Sequence, residues 1–321
     1  MEVNELSKNS RGGTELMLER IHSRVNPDLL NECQIIPSRV RELKEDKIRI
    51  LWQHDLPGDP ESHHLANRGW EKFHKIVFVS NWQMQQYISH YDIPWSRCVV
   101  MQNAIDPIEV HQKEFDKIRL IYHTTPHRGL QILVPVFEKL CEKFDNIELD
   151  VYSSFSIYGW EERDKQFEEL FNRCKEHPSI NYHGAKTNEE VREALKLAHI
   201  YAYPSIWPET SCLSLIEAMS AGLLCVHSNF AALYETAANW THMYQFMQEM
   251  EEHGGLFYSL LFDSISNIQD PMLQKKMKHQ KAYTDGFYNL NNRIIQWEAL
   301  IASLLNEPRE FPKPSFVYKT V

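Results

Sequence analysis

The sequence predicts an α/β protein made of two doubly wound parallel-sheet domains that face each other across a cleft. Three observations lead there. Short β-branched runs alternate with segments of helical spacing, the pattern of parallel sheets covered by helices on both faces. The alternation comes in two series, separated near residue 107 by "NAIDPIEVHQKEFDK", a polar connection containing a proline. The chain has 321 residues, 43% of them hydrophobic and 24% charged, enough for two cores of ordinary globular composition. Two such domains place a cleft at the carboxyl ends of their strands.

Each element follows from its own residues. Gly12 and Gly13 read as a strand-to-helix turn, with "TELMLERIHSRV" as the helix. Before that turn only Val3 and Leu6 have strand quality, so the expected first strand is weak or missing. The runs "CQIIP" (33–37), "IRILWQ" (48–53), "KIVFVS" (75–80) and "CVVMQ" (98–102) read as the strands of the first series. The second series runs from 118 to about 230, with strands "RLIYHT" (119–124), "ELDVYS" (148–153), "INYHG" (180–184), "IYAYPS" (200–205) and "LLCVHS" (223–228). "QILVPVFEKLCEKF" and "NEEVREALKLA" between them have helical spacing. Thr187 and Glu190 stand at capping-box spacing before the latter. Near the end, "NRIIQWEALIASLL" (292–305) carries Ile294, Trp297, Ile301 and Leu304 along one stripe. The expected division is 1–107, 108–285, and a terminal helix and tail at 286–321 that returns to the first domain.

Composition narrows the function classes. A net charge of −10 argues against a nucleic-acid binder and a strongly basic membrane-docking surface. The first 115 residues carry 14 Lys+Arg and 17 Asp+Glu, near enough to neutral to allow weak peripheral contact with a lipid or polyanion. No apolar run approaches the roughly 18–20 residues of a membrane span, and "MEVNELSKNS" contains no apolar signal core. Cysteines 33, 98, 141, 174, 212 and 225 have no C-x-x-C spacing, which suits free thiols in a reducing compartment. A cytoplasmic protein is expected. His54, His63 and His64 lack metal-ligand spacing, and no metal site is expected.

The most informative stretch is "PETSCLSLIEAMSAG" (208–222). It follows the strand "IYAYPS", so it occupies a strand-to-helix loop and the next helix. Ser211 is the expected N-cap and Gly222 the expected terminator. Glu209 then lies in the loop and Glu217 on the second turn, their carboxylates roughly 10 Å apart at about 1.5 Å rise per residue. The amides of Thr210, Ser211, Cys212 and Leu213 lie between them, a natural seat for phosphate. Carboxylate, phosphate seat, carboxylate is the order a sugar nucleotide needs. The bland alternative is that Glu209 caps the helix and Glu217 pairs with a buried base.

Here the sequence resembles a known family. Glu209-x7-Glu217 followed by "AMSAG" is similar to the E-x7-E signature of the GT-B retaining glycosyltransferases grouped as glycosyltransferase family 4. "RGGTE" (11–15), "QNAID" (102–106), "TTPHRGLQILVPVFEKL" (124–140) and "NYHGAKTNEEVREAL" resemble further segments of that family, in its order. The resemblance implies two Rossmann-like domains: an acceptor-side domain, then a nucleotide-sugar-binding domain. It also implies transfer of a hexosyl residue from a nucleoside diphosphate sugar, UDP- or GDP-linked, to a hydroxyl acceptor on a glycan, lipid-linked glycan or small molecule. Retention, independence from metal and the lack of any cofactor are part of the implied pattern. By the same resemblance, Glu217 would accept the ribose hydroxyls, and Glu209 would hold hydroxyls of the transferred sugar. Arg128 would stabilise the leaving diphosphate. Gly12 and Gly13 would let backbone approach that diphosphate. His54, beside Asp55 in "WQHDLPGDP", would contact sugar or acceptor, and such a pair can orient a hydroxyl; a satisfied loop histidine is the alternative.

The chain also departs from the family pattern. A second arginine is usual where this sequence has His123, an imidazole only partly charged near neutral pH. A Gly-Gly pair is usual where this chain has Ala231 and Ala232, just before Glu235. No D-x-D motif that would hold a divalent metal is present, since "ELD" (148–150) lies within a strand. An epimerase or phosphorylase on the same fold, and a non-catalytic nucleotide-sugar-binding protein, remain open alternatives.

Overall fold

The computed structural model describes residues 12–110 and 112–307. The weak first strand expected before Gly12, and Arg11 of "RGGTE", lie outside the described residues. Two parallel sheets organise the chain. The first holds β1 (Cys33–Pro37), β2 (Ile48–Gln53), β3 (Lys75–Phe78) and β4 (Cys98–Val100) in the order β1-β2-β3-β4. The second contains β5 (Ile118–Tyr122), β6 (Ile147–Val151), β7 (Ile180–Tyr182), β8 (Ile200–Tyr203), β9 (Leu224–Ser228) and β10 (His242–Tyr244), ordered β10-β9-β8-β5-β6-β7. Every pairing in both sheets is parallel.

The strand order of the second sheet decides where a ligand can sit. Counted within that sheet it is the doubly wound order in which the chain reverses direction between its first and fourth strands, here β5 and β8. In open α/β sheets ligands bind at such a point, outside the carboxyl ends of the strands. The two loops leaving it carry residues 123–129 and 204–212, the segments with Arg128 and Glu209. Nine of the ten strands coincide with the runs read from sequence, to within two residues at either end. The tenth was not anticipated, and the second series extends past residue 230. β10 is three residues long, "HMY", too short to show periodicity, and exists because it pairs with Val226–Ser228.

The helices are α1 (Gly13–His22), α2 (Pro27–Glu32), α3 (Asn81–Tyr91), α4 (Leu130–Cys141), α5 (Glu168–Glu176), α6 (Asn188–Leu197), α7 (Leu213–Ser220), α8 (Leu233–Ala237), α9 (Met250–Ser266), α10 (Pro271–Phe287) and α11 (Leu290–Asn306). The capping box on α6 forms as expected, with Thr187 and Glu190 each accepting from the other's backbone amide. Gly222, at φ +69°, ends α7 in the left-handed conformation. One expectation fails at the other end of α7. Its N-cap is Cys212, itself left-handed at φ +77° and ψ +78°, with no side-chain cap. The Ser211 carbonyl accepts from the Thr236 hydroxyl.

Helix α11 crosses back to the first sheet. Its apolar stripe of Leu290, Ile294, Trp297, Leu300, Ile301 and Leu304 packs with Met17, Leu18, Ile21, Ile35, Ile50 and Trp52 in a single cluster. A larger core surrounds the second sheet. His227 on β9 lies inside that second domain, fully enclosed, with Nδ1 against the Ser228 carbonyl at 2.8 Å and Nε2 against the Thr241 hydroxyl at 2.8 Å. Burial pushes its imidazole down to about 4. The unfolded chain therefore takes up a proton first as pH falls through about 6.5, and stability drains away from there towards pH 4. Urea unfolding at pH 7 and pH 5 should show a loss of about 2 kcal/mol from this residue alone. His227→Gln should lose about that much less over the same step, and an identical pH dependence in both proteins would refute the assignment.

Candidate active site

The site is built from the two loops that leave the β5/β8 reversal. Arg128 ends a short 3-10 turn, Pro126–Arg128, and Gly129 follows at φ +140°. That glycine is required, because a Cβ there would stand 2.3 Å from the Pro204 carbonyl oxygen of the neighbouring loop. The close approach brings Arg128 against Glu209. Nη1 of Arg128 donates to Glu209 Oε1 at 2.6 Å, and the hydroxyl of Tyr203 donates to the same oxygen. Glu209 is buried, only 6% exposed. Burial works against the guanidinium charge, but the Glu209 carboxylate outweighs it and raises Arg128 above the ordinary arginine range. Arg128 also lies over the ring of Trp207, 6.0 Å from its centroid, and its Nε is shielded from solvent with no partner among the described residues. A fixed cation with a free donor, beside an oriented carboxylate, is an arrangement that can stabilise developing anionic charge.

The first domain closes over this pair. The hydroxyl of Thr210 donates to the His54 carbonyl at 2.8 Å. Gly13, at the start of α1, approaches Leu213 at the start of α7 so closely that a Cβ would lie 3.1 Å from Leu213 Cδ1. Two helix N-termini thus converge, and their first amides lack intrahelical acceptors. The space on the Cβ side of Gly12 is filled by a side chain: an added Cβ would stand 2.3 Å from Cε1 of Tyr158. Gly12 itself has an ordinary φ of −71°, so close packing, not backbone conformation, demands glycine here.

Glu217 also faces the domain junction, but it is already engaged. Asn188 Nδ2 donates to both its oxygens, at 3.0 and 3.2 Å, and Arg192 Nη1 approaches Oε1 at 3.4 Å. Arg20 of α1 reaches across from the first domain to Oε1 at 3.5 Å. Arg20 also donates to the Ala104 carbonyl, while Arg24 grips Asp106 through both of its carboxylate oxygens. For Glu217 the structure therefore realises pairing with bases, though partly buried ones; for Glu209 it excludes the helix-cap alternative. Oε2 of Glu217 accepts only from Asn188 among the described residues, leaving one acceptor position on that oxygen.

Both candidate histidines are neutral at physiological pH. Burial pushes His54 down to about 3 and His123 to about 4. The Nε2 atoms of both are shielded and unpartnered among the described residues. His54 rests on Trp52, ring centroids 4.5 Å apart. It makes no hydrogen bond to Asp55, whose carboxyl is raised, chiefly by burial. The histidine–aspartate pair read from the sequence does not form. His123 packs against Tyr201 at 5.1 Å, so of these two positions, His123 and Arg128, only Arg128 carries a fixed charge.

The remaining departures have physical consequences. Ala231 adopts φ +54°, so the turn keeps a glycine-like conformation despite its methyl group, and the Ala232 amide donates to the Glu209 carbonyl at 3.0 Å. Glu235 is engaged by the first domain. It accepts from the Asn81 amide at 2.8 Å and the Trp82 amide at 2.9 Å, capping α3 of the first domain from the second. Sequence reasoning missed Tyr203, Trp207, Tyr158, Arg20, Asn188 and Arg192. Only the last two left a signal, since their spacing of four puts them on one face of α6.

Comparison with solved structures fixes the architecture. A crystal structure of a glycosyltransferase from Rickettsia africae superimposes with a TM-score of 0.66 at 16% identity, covering 94% of this chain and 85% of the other. The fold is GT-B. Anabaena HepE in complex with UDP-glucose shares this GT-B fold, with a TM-score of 0.61 at 13% identity over 81% of this chain and 72% of its own. Residues 102–251 match the family model described as glycosyl transferases group 1. Among curated proteins, the chain is 21% identical over 292 residues to the phosphatidylinositol N-acetylglucosaminyltransferase gpi3 subunit of Schizosaccharomyces pombe, covering 87% of this chain and 58% of that protein. It is 26% identical over 167 residues to a phosphatidylinositol N-acetylglucosaminyltransferase subunit from Arabidopsis thaliana, covering 50% of this chain and 36% of that one. This GT-B chain thus spans between about a third and three fifths of the curated relatives' length.

Proposed function

We propose that this chain transfers a hexosyl residue from a nucleoside diphosphate sugar to a hydroxyl acceptor, with retention at the anomeric carbon and without a metal. The observation that carries the reading is the buried Arg128–Glu209 pair at the β5/β8 reversal, roofed by the first domain through Thr210 and His54. Arg128 supplies positive charge to the departing diphosphate, and the converging N-termini of α1 and α7 supply amides. Glu209 exchanges part of its bond to Arg128 for hydroxyls of the transferred sugar. The leaving phosphate itself takes the acceptor proton on the same face. The free position on Glu217 Oε2 accepts from the donor ribose. Closure of the two domains excludes water and limits hydrolysis.

The relatives' names supply one donor and acceptor to test, N-acetylglucosamine and phosphatidylinositol. No helix among the described residues is long and apolar enough to cross a membrane. The six cysteines are free thiols, which supports a reducing, cytoplasmic setting. Thermal unfolding with UDP-, GDP-, ADP- and TDP-sugars is expected to show stabilisation by one nucleotide class. That donor should then be consumed only when acceptor is present, giving an α-linked product from an α-linked donor. Consumption of donor alone would indicate an epimerase. The neutral His123 favours a second reading, nucleotide-sugar binding without transfer, which stabilisation with no turnover on any acceptor would establish. Absence of stabilisation by every sugar nucleotide defeats both.

A further inference from the structure

The segment leaving the carboxyl end of β6, residues 153–167, is not used by the reading above. It is built to hold one side chain in place. Asp164 accepts from the Ser154 hydroxyl at 2.5 Å and from the Phe155 amide at 2.8 Å, and Ser154 caps the 3-10 turn Phe155–Tyr158 through the Ser156 amide at 2.9 Å. Phe155 stacks on His127, centroids 5.0 Å apart with 18° between planes, next to Arg128 in sequence. Arg163 lies over Trp160 at 4.3 Å, and Gly159 at φ +72° ends the turn. This scaffold delivers Tyr158 across the cleft until its ring touches the backbone of Gly12 in the first domain.

The phenol arrives among charges from both domains. Arg128 and Glu209 of the second and Glu15 and Asp55 of the first all act on it. Burial raises the phenol above its ordinary range, so it remains a neutral hydroxyl able both to donate and to accept. Diphosphate is matched by cations and amides, which Arg128 and the helix N-termini already provide. A neutral hydroxyl within reach of the Glu209 charge matches a polyol, and an aromatic ring can pack against the C–H side of a pyranose.

We propose that Tyr158 is a specificity-determining residue that contacts the transferred sugar, and not the nucleotide, of the donor. This inference rests on the sugar-transfer reading. Calorimetric titration of wild-type protein, Tyr158→Phe and Tyr158→Ala with UDP, GDP, UDP-glucose, UDP-N-acetylglucosamine and GDP-mannose separates the two. Tyr158→Phe keeps the ring against Gly12 and removes only the hydroxyl. It should weaken whichever sugar nucleotide the wild type binds by about 3- to 10-fold, while the matching nucleoside diphosphate stays within about twofold. Tyr158→Ala should widen that gap and relax the preference among the sugar nucleotides. Equal weakening of diphosphate and sugar nucleotide, or no weakening of either, overturns the role of Tyr158 and leaves the sugar-transfer reading standing. Failure of the wild type to bind any sugar nucleotide overturns both.

Discussion

Arg128→Ala is expected to lower the turnover of donor by about 10²- to 10³-fold, the cost of removing one preorganised stabiliser of developing negative charge. The reasoning starts from the chain reversal at β5 and β8, which places Arg128 and Glu209 on adjacent loops 2.6 Å apart. It continues through His123, which burial holds neutral and which cannot share the task. Removing the guanidinium also leaves a buried carboxylate without its counter-charge, a loss of about 3–5 kcal/mol in such settings. Stability and chemistry must therefore be read separately. Arg128→Lys retains a charge while losing the planar fork, and it should fall between wild type and Arg128→Ala in kcat at saturating donor. Glu209→Gln keeps shape and hydrogen bonding and removes the negative charge. Its transfer rate should fall while the affinity for nucleoside diphosphate holds. Folded Arg128→Ala protein turning over at the wild-type rate would remove this residue from the mechanism.

Trp297→Ala is expected to cost about 3–5 kcal/mol in unfolding free energy, the range for deleting a large aromatic side chain from a packed core. Trp297 is fully buried and meets Trp52 of β2 edge-on, centroids 5.0 Å apart. It sits on α11, far along the chain from the sheet it covers, so its loss opens a cavity in the first domain. Ile295 on the same helix is 63% exposed, and Ile295→Ala should stay within about 0.5 kcal/mol of wild type. Urea titration of both variants provides the comparison. If the two substitutions cost the same, α11 is not part of the first domain's core.

How much of this was legible before folding depends on the range of the cause. "QNAID" was recognised by resemblance, while its backbone is held by Tyr288 and Leu290, far along the chain. "PETSCLSLIEAMSAG" was readable because strand, loop and helix succeed one another within a few residues. Thr187 and Glu190 announced their cap for the same reason. The N-cap was misread by one residue: Cys212, left-handed at φ +77°, stands where Ser211 was expected. His54 and Asp55, adjacent in sequence, suggested a functional pair, yet the fold turned the imidazole onto Trp52 and no hydrogen bond joins the two.

By itself the sequence determined the alternation of strands and helices, the apolar stripe of α11, and the two acidic positions eight residues apart. Side-chain periodicity and local capping chemistry encode those directly, since each depends on a few consecutive residues. Only the tertiary structure decided which base meets which acid: Arg128 for Glu209 at a separation of 81 residues, and Arg20 for Glu217 across the domain junction. It alone placed Tyr158 against Gly12. Such pairings are selected by the joint packing of two sheets, and no local pattern carries that information, because the energy of each contact exists only once both lobes have formed.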